Sequence, residues 1–251
     1  MKKFDLRQFS KRCATLVVLG ALAAVALVPA TAFATSTGSV KCAATDLKCV
    51  ITAGDTLIND RMDALNKLNT KVSDDLTAKK ITSDQANVLQ SDIATNKTGL
   101  TNLKTRLDAE KTALAARLDV SSIFLQFRIF AVVLPRDYRH LELDIEQNVK
   151  AMMQNAASKI KDAIASAPAD KQVQLNNLFS DYQKQVAAAE SQIDTVQTDF
   201  AAMTPENFNL NRASYEATKT AVVNAVKAAR ADLHQAAKDL NEMAHILGIK
   251  K

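Results

Sequence analysis

Tryptophan is absent from these 251 residues, glycine occurs five times and proline four times. Sheets and sandwiches need Gly and Pro punctuation between short strands, so the scarcity argues against both. Glycine-rich phosphate loops are missing, as is a G-x-S-x-G elbow. Histidine occurs three times and cysteine three times, which leaves little material for metal or nucleophile chemistry. What remains is rich in Ala, Lys, Gln, Asp and Leu, mostly helix formers. The expected fold class is all-α.

The N-terminus has the three parts of a secretory signal. Lys2, Lys3, Arg7, Lys11 and Arg12 form a basic start, Ala14 to Val28 is an uncharged apolar run, and Ala32-Phe33-Ala34 offers small residues for cleavage. The expectation is a signal peptide over 1–34, cut between Ala34 and Thr35, with an uncleaved anchor as the alternative. A transmembrane helix needs roughly 20 apolar residues. The signal holds five of the 32 basic and one of the 27 acidic residues, so the remaining 217 residues carry 27 against 26, a net charge of +1. A chain this balanced gives no electrostatic ground for a nucleic-acid partner. Cys13 leaves with the signal, and an even pair in an exported chain favours a Cys42–Cys49 disulfide. Seven positions on one helix span about 10.5 Å, too far to bridge, so Cys42 must lie outside the helix that carries Cys49. Two free thiols are the alternative.

The helices can be placed from their caps and breaks. After a flexible segment over 35–45, helices are expected over about 46–78, 82–118, 120–166 (kinked or broken at Pro135), from the short turn Ala167-Pro168-Ala169-Asp170 to 203, and over 211–247. Thr82-Ser83-Asp84-Gln85 reads as a capping box, Thr204-Pro205 starts a loop ending at a plausible N-cap, Asn211, and Gly248 reads as a C-cap. In the first helix Leu47, Ile51, Ile58, Met62, Leu65, Asn69, Val72 and Leu76 follow coiled-coil spacing; in the second Leu89, Ile93, Asn96, Leu100, Leu103, Leu107, Leu114 and Leu118 do the same. Antiparallel pairing sets residues whose numbers sum to 165 opposite each other, from Leu76 with Leu89 to Leu47 with Leu118. Asn69 then faces Asn96, an expected register-fixing pair. Leu175, Phe179, Tyr182, Val186, Ala189, Ile193, Val196 and Phe200 mark the fourth core stripe. Val222, Val226, Ala229, Leu233, Ala236, Leu240 and Leu247 mark the fifth. The third stripe, Leu134, Tyr138, Leu141, Ile145, Val149, Met152, Ala156, Ile160 and Ala163, has an eleven-residue repeat. The whole reads as an elongated antiparallel coiled-coil hairpin (46–118), an apolar hub helix (119–135) and a three-helix bundle (136–251).

Candidate chemistry mostly fails on geometry. Asp137-x-x-His140 and Glu242-x-x-His245 mimic a di-iron bundle motif, which needs inward projection and further inward glutamates; both motifs fall off the apolar stripes and read as solvated faces. No catalytic residue, metal or cofactor is expected. The Asn96-Lys97-Thr98 sequon sits in a helical seam and carries little weight.

The anomaly is 120–134, polar only at Ser121, Ser122, Gln126 and Arg128. Phe124, Phe127, Ala131 and Leu134 form the expected inner stripe, and Leu125, Ile129, Val132 and Val133 a second apolar face. A helix apolar nearly all round is buried, so the segment is expected to be a central hub; an oligomer contact or a membrane element are the alternatives. Fifteen helical residues reach about 22 Å, short of a bilayer core. Phe127-Arg128-Ile129-Phe130-Ala131-Val132-Val133-Leu134-Pro135, after a heptad hairpin and before long helices, is similar to a stretch in uncharacterised exported helical, coiled-coil proteins of candidate-phyla bacteria such as Saccharibacteria. The resemblance covers most of the chain in layout and only this stretch in residues. It implies a secreted or cell-surface bundle and carries over no functional residue. The functional expectation is a non-enzymatic exported protein acting through contacts with an unknown protein partner, a second copy of itself included. A membrane-active bundle, with membrane contact not favoured, and a periplasmic holdase or scaffold are the alternatives.

Overall fold

A computed structural model describes residues 41–248. The expected signal peptide, its Ala34/Thr35 cleavage site and Cys13 lie outside the described residues. Every regular element among the described residues is helical. The chain forms two compact units, one of Glu146–Asp194 with 225–248, the other of 41–145 with Thr195–Asn224.

In the second unit, α1 spans Leu47–Thr77, and Asp46 caps it by accepting from the Cys49 N–H at 2.9 Å. Cys42 lies outside this helix, at disulfide distance from Cys49, their Cα atoms 5.7 Å apart. The turn after α1 runs through Lys79, at φ 57°. Then α2 (Ser83–Ala109) opens with the expected capping box: the Gln85 N–H donates to Thr82 and the Thr82 N–H returns to Gln85 Oε1. Gln90 donates to Ser73 at 3.3 Å, and Lys104 pairs with Asp55, so the two helices lie antiparallel. The buried face of α1 is Val50, Gly54, Leu57, Ile58, Arg61, Leu65, Leu68, Val72 and Asp75. Leu47, Ile51, Met62, Asn69 and Leu76, expected in the seam, are only half-buried. The face is rotated by about one residue because α3 also packs on α1 and Arg61 is drawn under two phenylalanines.

The expected second helix is two. Glu110 is extended, and Thr112 accepts from the Ala115 N–H at 3.2 Å to start α3 (Ala113–Ser122). The break turns Ala113, Ala116, Asp119 and Val120 inward and leaves Leu114 and Leu118 71% and 65% exposed. The expected seam contacts of Leu114 and Leu118 with Ile51 and Leu47 are therefore replaced. Two features hold the break: Arg106 pairs with Asp119 at 2.7 Å, and Gly54 admits both Leu107 and Val120 where a β-carbon would sit 2.5 and 2.8 Å from them. Arg117 donates to the carbonyls of Cys42 and Ala43, both at 2.9 Å, tying the segment before α1 to α3.

Neither is 120–134 one helix broken at Pro135. Two π-helical turns, Ile123–Phe127 and Ile129–Val133, flank Arg128, which is left-handed at φ 43°, ψ 39°. The Arg128 N–H bonds back to Ile123 O and the Val133 N–H to Arg128 O, five residues each. Pro135 is the second residue of α4 (Leu134–Ala165), in a first turn whose N–H groups have no intrahelical partner anyway. The wider turns re-aim the side chains. Ile123, Ile129, Val132, Val133 and Leu134 are buried, Phe124, Phe127 and Phe130 half-buried, Leu125 and Ala131 exposed. Three of the four expected second-face residues, Ile129, Val132 and Val133, are thus core while Leu125 is exposed, and of the expected inner stripe only Leu134 is fully buried.

Beyond the turns, α4 buries Met153 and Ile164 where Met152 and Ala163 were expected; Tyr138 is half-buried, and 141–146 are buried on all sides. The stripe takes four-residue steps more often than an eleven-residue repeat does, so it drifts faster around the helix. All eight expected core positions of α5 (Ala169–Ala202), Leu175 to Phe200, are buried. The expected loop folds into α6 (Pro205–Leu210), with Pro205 in its first turn and Thr204 accepting from the Asn207 N–H at 3.1 Å. Asn211 accepts from the Ser214 N–H at 3.0 Å as α7 (Arg212–Ile246) starts, and Gly248 ends it at φ 72°. Asp239 and Met243 are buried near its end where Leu240 and Leu247 were expected. Within the first unit, Tyr182 donates to Met153 O at 2.6 Å, Arg230 bonds Glu146 at 2.7 Å, and Lys150 meets Glu190 at 2.9 Å.

Candidate functional site

The two π turns have one buried and one exposed face, and arginines of the second unit lie against or between them. They pack against α2, α3 and α6. From α1, Arg61 lies 4.9 Å from the ring centres of both Phe124 and Phe130. Its Nη1 donates to Leu57 O at 2.7 Å, and burial pulls its pKa down to about 10 against the pull of Asp60. Arg61 stays charged at neutral pH, and the quadrupoles of two aromatic faces stand in for a counter-ion. From α2, the Phe127 ring lies against the backbone at Gly99, where a β-carbon would fall 2.5 Å from the ring edge.

Arg128 turns the other way. Its Nε donates to Asn209 Oδ1 at 2.6 Å, and the Asn209 amide donates to Leu125 O at 2.7 Å. Its guanidinium lies 4.5 Å from the centre of the Phe208 ring, and that of Arg212 lies 5.3 Å from the same ring. Phe208 meets Tyr215 edge-on at 5.0 Å.

At the start of α4, Arg136 bridges Asp92 of α2 and Asp137. Asp137 was expected on a solvated face but is 1% exposed, and burial raises its pKa to about 7 against the opposing pull of Arg136. Burial likewise raises Asp144 to about 7, with Gln85 opposing. Gln85 also donates to the Asp144 carbonyl at 3.3 Å, fastening the α2 N-terminus to α4. His140 is half-buried, stacks on Phe200 at 5.0 Å and lies 3.9 Å from Asp144 Oδ1; burial lowers its pKa, so it is neutral. Among the described residues, no three His, Cys, Asp or Glu side chains are grouped to hold a metal ion.

The expected Asn69–Asn96 pairing takes another form. Both are half-buried, and the Asn96 amide donates within its own helix, to the Asp92 carbonyl and carboxylate at 2.9 and 3.1 Å. No hydrogen bond joins Asn96 to Asn69 among the described residues.

No family model, curated protein or solved structure matches the chain. Function therefore has to be argued from the site itself. Of the residues singled out in the sequence, Phe124, Phe127, Arg128, Ile129, Phe130, Val133, Leu134 and Pro135 do converge on one region. Arg61, Arg136, Phe208, Asn209 and Arg212 belong to it too. The apolar frame Leu57, Arg61, Leu65, Leu68 could have flagged Arg61; Phe208 and Asn209 were hidden inside an expected loop.

Proposed function

We propose that the chain is a non-enzymatic exported helical protein that works through protein–protein contacts at or outside the cell envelope. One observation carries this reading: Leu114 and Leu118, spaced to share a helix face, are turned out to solvent by the break before α3. Elsewhere in the second unit, leucines at such spacing close the seam between α1 and α2. Here they form an apolar ledge on a helix braced by Arg106–Asp119 and Arg117. The sequence supports export through its basic start, apolar run and Ala34–Thr35 junction, with secretion or cell-surface retention as the destinations. The Cys42–Cys49 distance fits a disulfide formed in an oxidising compartment. The finer architecture belongs to the same proposal: α1 and α2 as a coiled-coil arm, and α4, α5 and α7 as a three-helix bundle.

A photo-reactive residue placed at Leu118, with a control at exposed Asn102 of α2, tests the reading in the exported protein on intact cells. A discrete adduct from position 118 alone, lost on Leu114→Asp, is the expected result; a second copy of the chain is one of the adducts it can reveal. No adduct, or the same adducts from both positions, overturns it.

The second reading is insertion of the apolar segment into a membrane, and a stretch within Ala113–Ala165 is long and apolar enough by composition. Ile129, Val132 and Val133 are already buried in protein, so insertion would have to open the core first.

A further inference from the structure

Arg128 and Arg212 form an unusual pair. Both guanidiniums lie near the centre of one ring, Phe208, at 4.5 and 5.3 Å. Neither has a carboxylate within ion-pair distance among the described residues. Asp92, Asp119, Asp137 and Glu146, by contrast, each hold an arginine. Glu206, on the same short helix as Phe208, bridges neither. Like charges brought together repel, and the effect registers here: burial and then the Arg212 charge lower the Arg128 pKa. Arg128 is also held at φ 43°, a conformation costly for a residue with a β-carbon. Asn209 fixes it there by bonding both the guanidinium and the Leu125 carbonyl. The two guanidiniums thus share an aromatic platform, Arg128 is fixed by a bridging amide, and their joint charge suits an anion.

Two exposed leucines indicate where that anion comes from. Leu125, 51% exposed, is bonded through its carbonyl to Asn209, and Leu210, 76% exposed, follows Asn209 directly. Arginines beside outward leucines suit the boundary between headgroups and acyl chains, where apolar side chains enter and cations meet anionic lipid. Guanidinium matches phosphate oxygens in planar, forked geometry.

We propose that Arg128 and Arg212 bind the phosphate of an anionic lipid headgroup while Leu125 and Leu210 enter the interface, so that this face of the protein rests on a membrane surface without insertion. The site is separate in residues from the Leu114–Leu118 ledge and does not rest on it.

Co-sedimentation of the exported full-length chain with vesicles tests this. Phosphatidylcholine vesicles and vesicles containing phosphatidylglycerol serve as probes, with inorganic phosphate as a soluble competitor. The expected result is binding to the anionic vesicles only, weakened by salt. Arg212→Gln should lower it about fivefold, the worth of one cation near an anionic surface. Leu210→Ser should also lower it, and Leu118→Asp should leave it unchanged. Both arginine and leucine variants lie on exposed positions, and unchanged circular dichroism confirms that they fold. Equal binding to both vesicle types, no vesicle binding, or indifference to Arg212→Gln overturns the proposal. Loss on Leu118→Asp instead of Leu210→Ser assigns the binding to the ledge and overturns it as well. Phosphate binding without vesicle binding marks a soluble-anion site and overturns the lipid source.

Discussion

Gly54 of α1 lies against Leu107 of α2 so closely that a β-carbon on the glycine would stand 2.5 Å from Leu107 Cδ2. Val120 of α3 crowds the same point at 2.8 Å, and both neighbours are buried. In an open helix Gly→Ala gains about 1 kcal/mol. Here three helices meet on the missing side chain, and overpacking costs about 1–3 kcal/mol. Gly54→Ala should therefore lower the melting temperature, as read by circular dichroism. A rise would mean that Leu107 and Val120 have room to move aside.

The asparagines offer a second test. Because the Asn96 amide is engaged by Asp92, Asn69→Leu and Asn96→Leu should act nearly independently. A double-mutant cycle in denaturant should give a coupling within about 0.5 kcal/mol of zero. Coupling well above 1 kcal/mol would restore the facing pair that the heptads imply.

Acidity should stabilise the second unit. Asp137 and Asp144 have folded pKa values near 7, raised from 3.8, so the fold binds protons more tightly than the unfolded chain does. Their contribution is fully present below about pH 4 and is lost as pH rises toward 7. His140 opposes them: its pKa is lowered, so its contribution is lost as pH falls through the ordinary histidine range. With two carboxyls against one imidazole, stability at pH 5 should exceed that at pH 8 by about 2 kcal/mol. Asp144→Asn should flatten the profile. A profile that rises from pH 5 to 8, unchanged by that substitution, would contradict the burial of these groups as charged-state penalties.

Processing and the cysteines can be read together by mass spectrometry of exported protein. The expected N-terminus is Thr35, and non-reducing peptide mapping should link Cys42 to Cys49. An intact Met1 on most molecules would defeat the cleavage, and full alkylation without reductant would defeat the bridge.

How far the sequence is legible depends on what sets each feature. Local chemistry is readable: Asp46, Thr82, Gln85, Asn211 and Gly248 act at the helix ends where their side chains or backbone freedom place them. The α5 stripe is readable because its heptad spacing meets no competing contact. The α1 face is less so, since a buried Arg61 is stabilised by Phe124 and Phe130, over sixty residues away. The π turns are the least legible. Their apolar side chains announce burial, but the left-handed Arg128 is enforced by Asn209 and Phe208 from another part of the chain. Helical periodicity therefore predicts burial on both faces, whereas Ile129 and Val132 are buried, Phe124 is half-buried and Ala131 is exposed.

The π turns as the core of their unit can be tested at Ile129, which is wholly buried. A carboxylate there would be desolvated among buried apolar side chains, at a cost of several kcal/mol. Thermal unfolding of Ile129→Asp, followed by circular dichroism with sizing, is the most direct measurement. The expected result is loss of much of the helicity or a collapse of cooperative melting in the full chain. Wild-type melting with an unchanged size would show that Ile129 faces solvent and that the hub does not hold the unit together.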